Sequence, residues 1–511
     1  MAALPGSGMT IVEAPVASQP IAVHPTPIAA FIGRCAAGPL NTPITVDSYS
    51  AFERWFGNAA INTALADQLR LFFKHGGSRA IVIRVANNPS AGLLALPSDA
   101  GDFVLRLVNP GSGEYVRASV DYDGIDDERL FNLTLQRINP DGNRILDQEI
   151  HPRLSVDPDS GAWYFTALAE SALARPESID QCLSVRPSQT LSDRVGESVC
   201  YVGLSKAGTD GNPLTDYDRI GSDVSGDGLF ALDLVSHVDF VHATEGPGPA
   251  FLIAAERYCA ARNALLVVDP PANDDSVAHL MKWRKEMAVD SPHVMHYYPM
   301  IQSREGTSTQ RMSAAGALIG LLSKQDETRH VFHALADASL QTTAALRREW
   351  RPAASVDIDE AEQLMAVGVN PIMRSERDQA LFPGLVTAAN RKDRALGALP
   401  EQRLIKFILR QIERGTRWAV FEPDSPSVHA RLQRQVEAFM GALEALGAFA
   451  TDGTGRAWSV ECSKDEQSDV QGVRLLLAFR PLGASQPFMY SMTQSEDGTS
   501  VCRTAFRYEH R

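Results

Sequence analysis

The sequence predicts an α/β protein, α+β over the whole chain, with a doubly wound core interrupted by a mostly-β insertion. Three observations carry this. Residues 80–85 (AIVIRV) and 264–268 (ALLVV) have the unbroken apolar, β-branched character of strands buried on both faces. Stretches with apolar residues at three- and four-residue spacing alternate with such runs, the pattern of βαβ units. Between about 87 and 200 the texture changes to short alternating runs split by turn residues.

At 511 residues the chain holds several domains, each with its own core. A hydrophobic share of 44% with 22% charged residues fits a soluble globular protein. The formal net charge of −14 argues against coating nucleic acid, which needs a basic footprint. No run approaches the ~20 apolar residues of a membrane span, and the opening MAALPGSGMTIVEAP lacks the charged and apolar regions of a secretory signal. The six cysteines are scattered with no CxxC pair, so neither a zinc site nor a disulfide framework is expected.

In order along the chain, residues 1–25 are proline-interrupted, leaving 9–13 and 21–23 as short extended segments. A plain disordered tail and an extended arm that completes a neighbouring sheet are both open on the residues alone. From 26 to 86 the pattern is strand, helix, helix, strand, with Asp47 or Ser48 capping the first helix and Gly76-Gly77 closing the second. Residues 87–200 form the mostly-β insertion, with turns at Pro110-Gly111, Asp123-Gly124 and Pro140-Asp141-Gly142. Residues 201–400 return to alternating strands and helices. The turn Ala207-Gly208-Thr209-Asp210-Gly211 lacks the lysine and hydroxyl of a phosphate-binding loop.

From 401 to 450 the reading is helix, strand, helix. Leu404, Ile405, Ile408, Leu409 and Ile412 share one face of the first helix, with Lys406, Arg410, Glu413 and Arg414 away from it. Arg417-Trp418-Ala419-Val420-Phe421 reads as a strand. Leu432, Val436, Phe439, Met440 and Leu443 form the stripe of the second helix. Three further strands follow, around 460–462, 473–479 and 487–492. After a turn at 495–498, residues 501–508 supply one more.

The wording here is more specific than its periodicity. RLIKFILRQIERGTRWAVFEPDSPSVHARLQRQVEAFM (403–440) closely resembles the C-terminal core of contractile tail sheath proteins, found in contractile bacteriophage tails, tailocins and related injection systems. TPIAAFIGRCAAGP (26–39), FERWFG (52–57) and FFKHGGSRAIVIRV (72–85) follow the order of that family's opening pattern. The resemblance implies an assembly protomer without catalytic, cofactor or metal sites. It also implies a subtilisin-like middle layer at 201–400, an outward-facing insertion at 87–200, a C-terminal core at 401–493, and an extra tail at 494–511. Its partners would be copies of itself, an inner tail tube, and baseplate and tail terminator proteins, with no nucleic acid and no membrane insertion. It would work in the tail of a virion or an equivalent particle assembled in the host cytoplasm. Terminal strands exchanged between subunits would place Ile11, Val12 and Glu13 at one end and Phe488, Tyr490 and Met492 at the other. Arg431 and Arg434 would face the tube.

A subtilisin-like layer raises a hydrolase alternative. Asp269 ends a predicted strand, where open α/β sheets place functional groups, but no GxSxG motif or protease-type serine turn is present. Asp269 is expected to cap the turn before Pro270-Pro271. The pairs His293/His296 and His330/His333 have i, i+3 spacing, yet lack a cysteine or carboxylate partner, so they are expected to be solvated or hydrogen-bonding. A static tube or capsid protein is the other alternative.

Overall fold

The computed structural model describes residues 20–23, 27–57, 63–139, 144–177, 184–190, 200–271, 276–287, 289–303, 311–333, 346–347, 349–375, 380–382, 385–422, 425–450, 457–464, 472–495 and 498–504. The chain divides into two compact units: residues 26–402, and residues 1–25 together with 403–511.

The first unit is built on a seven-stranded sheet. Its order runs Val369–Pro371, Val294–Tyr298, Leu265–Val268, Phe240–Ala243, Ala29–Gly33, Ala80–Arg84, Ile44–Val46. All neighbours are parallel except the last pair. Alternation along the strands splits their side chains between two cores. Phe31, Val82 and Val267 face helices Tyr49–Phe56, Ala64–Lys74 and Ala315–Arg329. Ile32, Ile83 and Leu266 face helix Pro249–Ala261 and the 3₁₀ turn Gly228–Leu234. Helices on both faces make the sheet doubly wound, and the strand order reverses between Ala29–Gly33 and Phe240–Ala243. Ser48 caps the first helix, its side chain accepting from the Ala51 amide.

Helix Ala315–Arg329 packs unusually close to Ala64–Lys74. A side chain at Gly316 would stand 2.1 Å from the Gln68 carbonyl oxygen, and one at Gly320 2.5 Å from that of Phe72. Glycine at i and i+4 is what lets the two backbones touch.

The insertion contains two three-stranded antiparallel sheets over one core that includes Leu105, Val120, Phe131 and Leu133. Its two ends pair with each other. The Asn212 amide donates to the Asn87 carbonyl at 2.8 Å, and Thr209 and Ser90 exchange backbone bonds of 2.9 and 3.1 Å. Gly208 permits this stalk, since a Cβ there would meet the Gly111 oxygen at 2.5 Å. A buried ion pair ties the insertion to the opening helix: Arg137 makes two 2.9 Å bonds to Glu114 and a third to the Trp55 carbonyl, while Glu114 accepts from the Gly38 amide at 2.6 Å. The turn expected at 140–142 and residue Cys182 lie outside the described residues.

In the second unit, helix Leu399–Thr416 buries its predicted stripe and also Lys406 and Arg410, at 5% and 7% exposure. The strand expected at Arg417–Phe421 is a 3₁₀ helix. Its aromatic, β-branched composition suits a strand, but it pairs with neither of the strands near it, Gly472–Phe479 and Phe488–Ser495. Instead Trp418 Nε1 donates to Gln435 Oε1 at 2.9 Å, which pulls the segment into a turn. Helix Pro426–Ala445 follows, capped by Ser425 and with Pro426 at its first position, where a missing N–H costs nothing. Its buried face holds all five predicted residues. A four-stranded antiparallel sheet closes the unit in the order Trp458–Lys464, Gly472–Phe479, Phe488–Ser495, Gly498–Thr504.

Candidate assembly surface

The second unit gathers most of the candidate residues. Arg431, half-buried on helix Pro426–Ala445, lies with its guanidinium 3.9 Å over the Trp418 ring and donates to Glu422 Oε1 at 2.7 Å. Its charge is therefore satisfied locally. Arg434, one turn on, is exposed and donates from Nε to its own helix's Ala430 carbonyl. Both arginines line a groove of about 530 Å³ on this helix, with Phe439 and Ala442 on its apolar side. The wall of that groove is the start of the described chain: Pro20, Ile21 and Val23. The amino-terminal segment and the charged helix, unrelated in the sequence, thus meet at one site. Phe421, 77% exposed beside Glu422, is a further residue of this surface that a strand reading conceals.

Phe488, Tyr490 and Met492 fall on one face of the strand Phe488–Ser495 and are 1%, 8% and 0% exposed. This strand is paired on both sides within the chain, with Gly472–Phe479 and with Gly498–Thr504. Its exchange with a neighbour would therefore require it to leave both partners. Gly498–Thr504 ends the sheet, with no strand on its outer side among the described residues. The other outer strand, Trp458–Lys464, is partly covered by helix Pro426–Ala445 through Gln433, which donates to the Val460 carbonyl, and Glu444, which accepts from Trp458 Nε1. Ile11, Val12 and Glu13 lie outside the described residues.

The hydrolase alternative can be judged at Asp269. The amides that could follow the Pro270-Pro271 turn lie outside the described residues. The Asp269 carboxylate accepts from Tyr297 at 2.5 Å and Ser313 at 2.6 Å. Sequence reading missed these partners because they lie on other elements, 28 and 44 residues away. Burial and the adjacent Asp269 charge push the Tyr297 phenol well up, so it stays a donor. His242 is buried, bonds the Val267 carbonyl through Nδ1, and keeps Nε2 3.8 Å from Asp269. A nucleophilic triad needs the imidazole between serine and carboxylate. Here the serine bonds the carboxylate directly, and also Gln68 at 3.2 Å. The network pins helix Ala315–Arg329 to the strand end and to helix Ala64–Lys74, beside a cleft of about 770 Å³ with mixed charge. His293 and His296 do not converge: His296 is buried on a strand, its ring edge-on to Trp283. Among the described residues no three potential ligands cluster as a metal site. No helix among them is long and apolar enough to cross a membrane.

No family model matches the sequence, and no curated protein does. Solved structures match over nearly the whole chain. A sheath tail protein from Listeria innocua superposes with a TM-score of 0.64 at 13% identity, covering 92% of this chain and 94% of its own. A sheath tail protein from Desulfitobacterium hafniense gives 0.56 at 14%, covering 92% and 96%. The sheath of an extracellular contractile injection system, PVC, in its contracted state gives 0.55 at 12%, covering 94% and 95%. The fold is that of contractile tail sheath proteins. The opening and C-terminal motifs of the sequence resemble those of the same proteins.

Proposed function

We propose that the protein is the protomer of a contractile tail sheath. The observation that carries this is the match, over 92% and 94% of the chain, to sheath structures that include a contracted one. On this reading, many copies polymerise helically around an inner tail tube between a baseplate and a tail terminator, in the tail of a virion or an equivalent injection particle. Segment 9–13 links neighbours by strand addition, whose main-chain bonds need little side-chain specificity, and segment 488–492 would do so only by leaving both of its partners in this chain. The insertion faces outward, and the helix Pro426–Ala445 faces the tube. The extended sheath is metastable, and contraction is a rigid-body rearrangement that drives the tube through a cell envelope without nucleotide or catalysis.

The exposed charge of Arg434 suits a contact that must let go. Solvent-screened ion pairs contribute only about 0–1 kcal/mol each, so many can form and break cheaply across a lattice. Electron microscopy tests the reading on particles from cells that also make the cognate tube and baseplate. Long sheathed tubes, and shorter, wider hollow cylinders after triggering, are expected. A single lattice with no second form would overturn contraction, and particles lacking this chain would overturn the sheath itself.

A further inference from the structure

Gly415 stands near the end of helix Leu399–Thr416, at a position where almost any other residue is a better helix former. Its φ lies outside the left-handed region, so backbone conformation does not call for glycine. Space does. A Cβ placed there would stand 2.6 Å from Ile21 Cγ1 and 3.4 Å from Ile21 Cβ. Ile21 is 7% exposed, and it sits in the groove beside Arg434 and Phe439. The Gly415 carbonyl is itself tied down by Gln435 Nε2 at 3.0 Å, which ties this helix end to helix Pro426–Ala445.

We infer that Gly415 and Ile21 form a socket fixing where the amino-terminal segment leaves the protein, and that this seat is a positioning contact for assembly. The missing side chain of Gly415 is the space that Ile21 fills. The 19 residues before Pro20 then start from the unit that carries the tube-facing helix, not from the α/β unit that follows them in sequence. Fully extended they reach about 65 Å from the groove. Only partners within that radius are available to them. The assembly half of this inference rests on the sheath reading; the socket itself does not.

The test separates the two. Ile21→Cys places a thiol in the socket, and maleimide labelling located by mass spectrometry reads its accessibility against the exposed Cys200 and Cys502. With Gly415 in place, the introduced thiol should label at least tenfold more slowly than those two. Adding Gly415→Leu should plug the socket and bring the introduced thiol to their rate, while the melting temperature stays level or rises. Equal labelling in both backgrounds overturns the socket. Ile21→Asp, which leaves the helix untouched, should lose sheath assembly as Gly415→Leu does, and the double variant should be no worse than either, because both remove one contact. Normal assembly by a variant whose residue 21 is exposed overturns the positioning role while leaving the socket standing.

Discussion

Two buried histidines set an acid limit on this fold. His296 is enclosed beside Trp283, and burial, followed by the nearby Arg284 charge, takes its pKa down to about 3. His75 is held lower than usual by desolvation, with Nδ1 donating to the Leu71 carbonyl and Nε2 accepting from the Arg347 amide. Both are neutral when folded, whereas the unfolded chain binds protons below about pH 6.5. Their stabilisation is thus complete above that pH and is lost as pH falls below it; for His296 the loss runs on toward pH 3, at about 1.4 kcal/mol per pH unit. Glu401 opposes them. Its half-buried carboxyl is pushed up to about 7 by desolvation, so it favours the folded state as pH drops from 7 to 4.5. A difference measurement isolates the histidine: in urea unfolding between pH 7 and 4.5, His296→Phe should flatten the profile by about one proton's slope. Parallel profiles for the two proteins would refute the assignment. The two arginines divide in the same way. Arg431→Ala, losing a partly exposed ion pair and the Trp418 contact, should cost about 1 kcal/mol of stability. Arg434→Glu should leave stability within about 0.5 kcal/mol and, on the sheath reading, weaken tube binding, read by co-sedimentation at low and high salt. Equal effects of the two on stability would contradict the geometry.

Elements were legible in the sequence where a single period decided them. The stripe Leu432, Val436, Phe439, Met440, Leu443 is buried as spaced, and the apolar runs at 80–85 and 264–268 became central parallel strands. What escaped was set by partners distant in sequence. Arg417–Phe421 has strand composition, but Gln435 takes its tryptophan and the segment joins no sheet among the described residues. The partners of Asp269, Ser313 and Tyr297, come from other elements. The seat of Ile21 against Gly415 has no local signal at all. The same limit applies to Gly316, which reads only as one small residue in a helix. Its role is the 2.1 Å approach to the Gln68 carbonyl, next to the network that holds the helix start. Gly316→Val should force the helices apart and destabilise the first unit by about 1–3 kcal/mol through overpacking. Gly226→Ala, at a half-buried position where nothing stands within 4 Å of the added Cβ, provides a control with strain but no clash. A Gly316→Val chain as stable as the parent would mean that the close approach is dispensable.

At the scale of the whole molecule, the sheath reading assigns folding and assembly to separate parts of the chain. The buried cores belong to described elements downstream of Pro25, apart from Ile21, which is seated in the second unit. On the sheath reading residues 1–19 serve a neighbouring subunit and not this chain's own core, so removing them should shift thermal unfolding by no more than about 2 °C. On the sheath reading the same deletion removes the segment that adds to a neighbour's sheet, and sheath formation should fail completely. The main-chain bonds of an added strand are cooperative along its length, and a lattice multiplies each lost link. Cutting at 1–19 keeps Ile21 in place, so the groove beside Arg434 is unchanged and tube binding by single protomers should survive. Electron microscopy, thermal melts and tube co-sedimentation on one preparation separate these effects. A folded, tube-binding protein that cannot polymerise is the expected result. Sheaths of normal length from the truncated chain would show that neighbours are linked elsewhere, and the open outer edge of Gly498–Thr504 would be the next place to block.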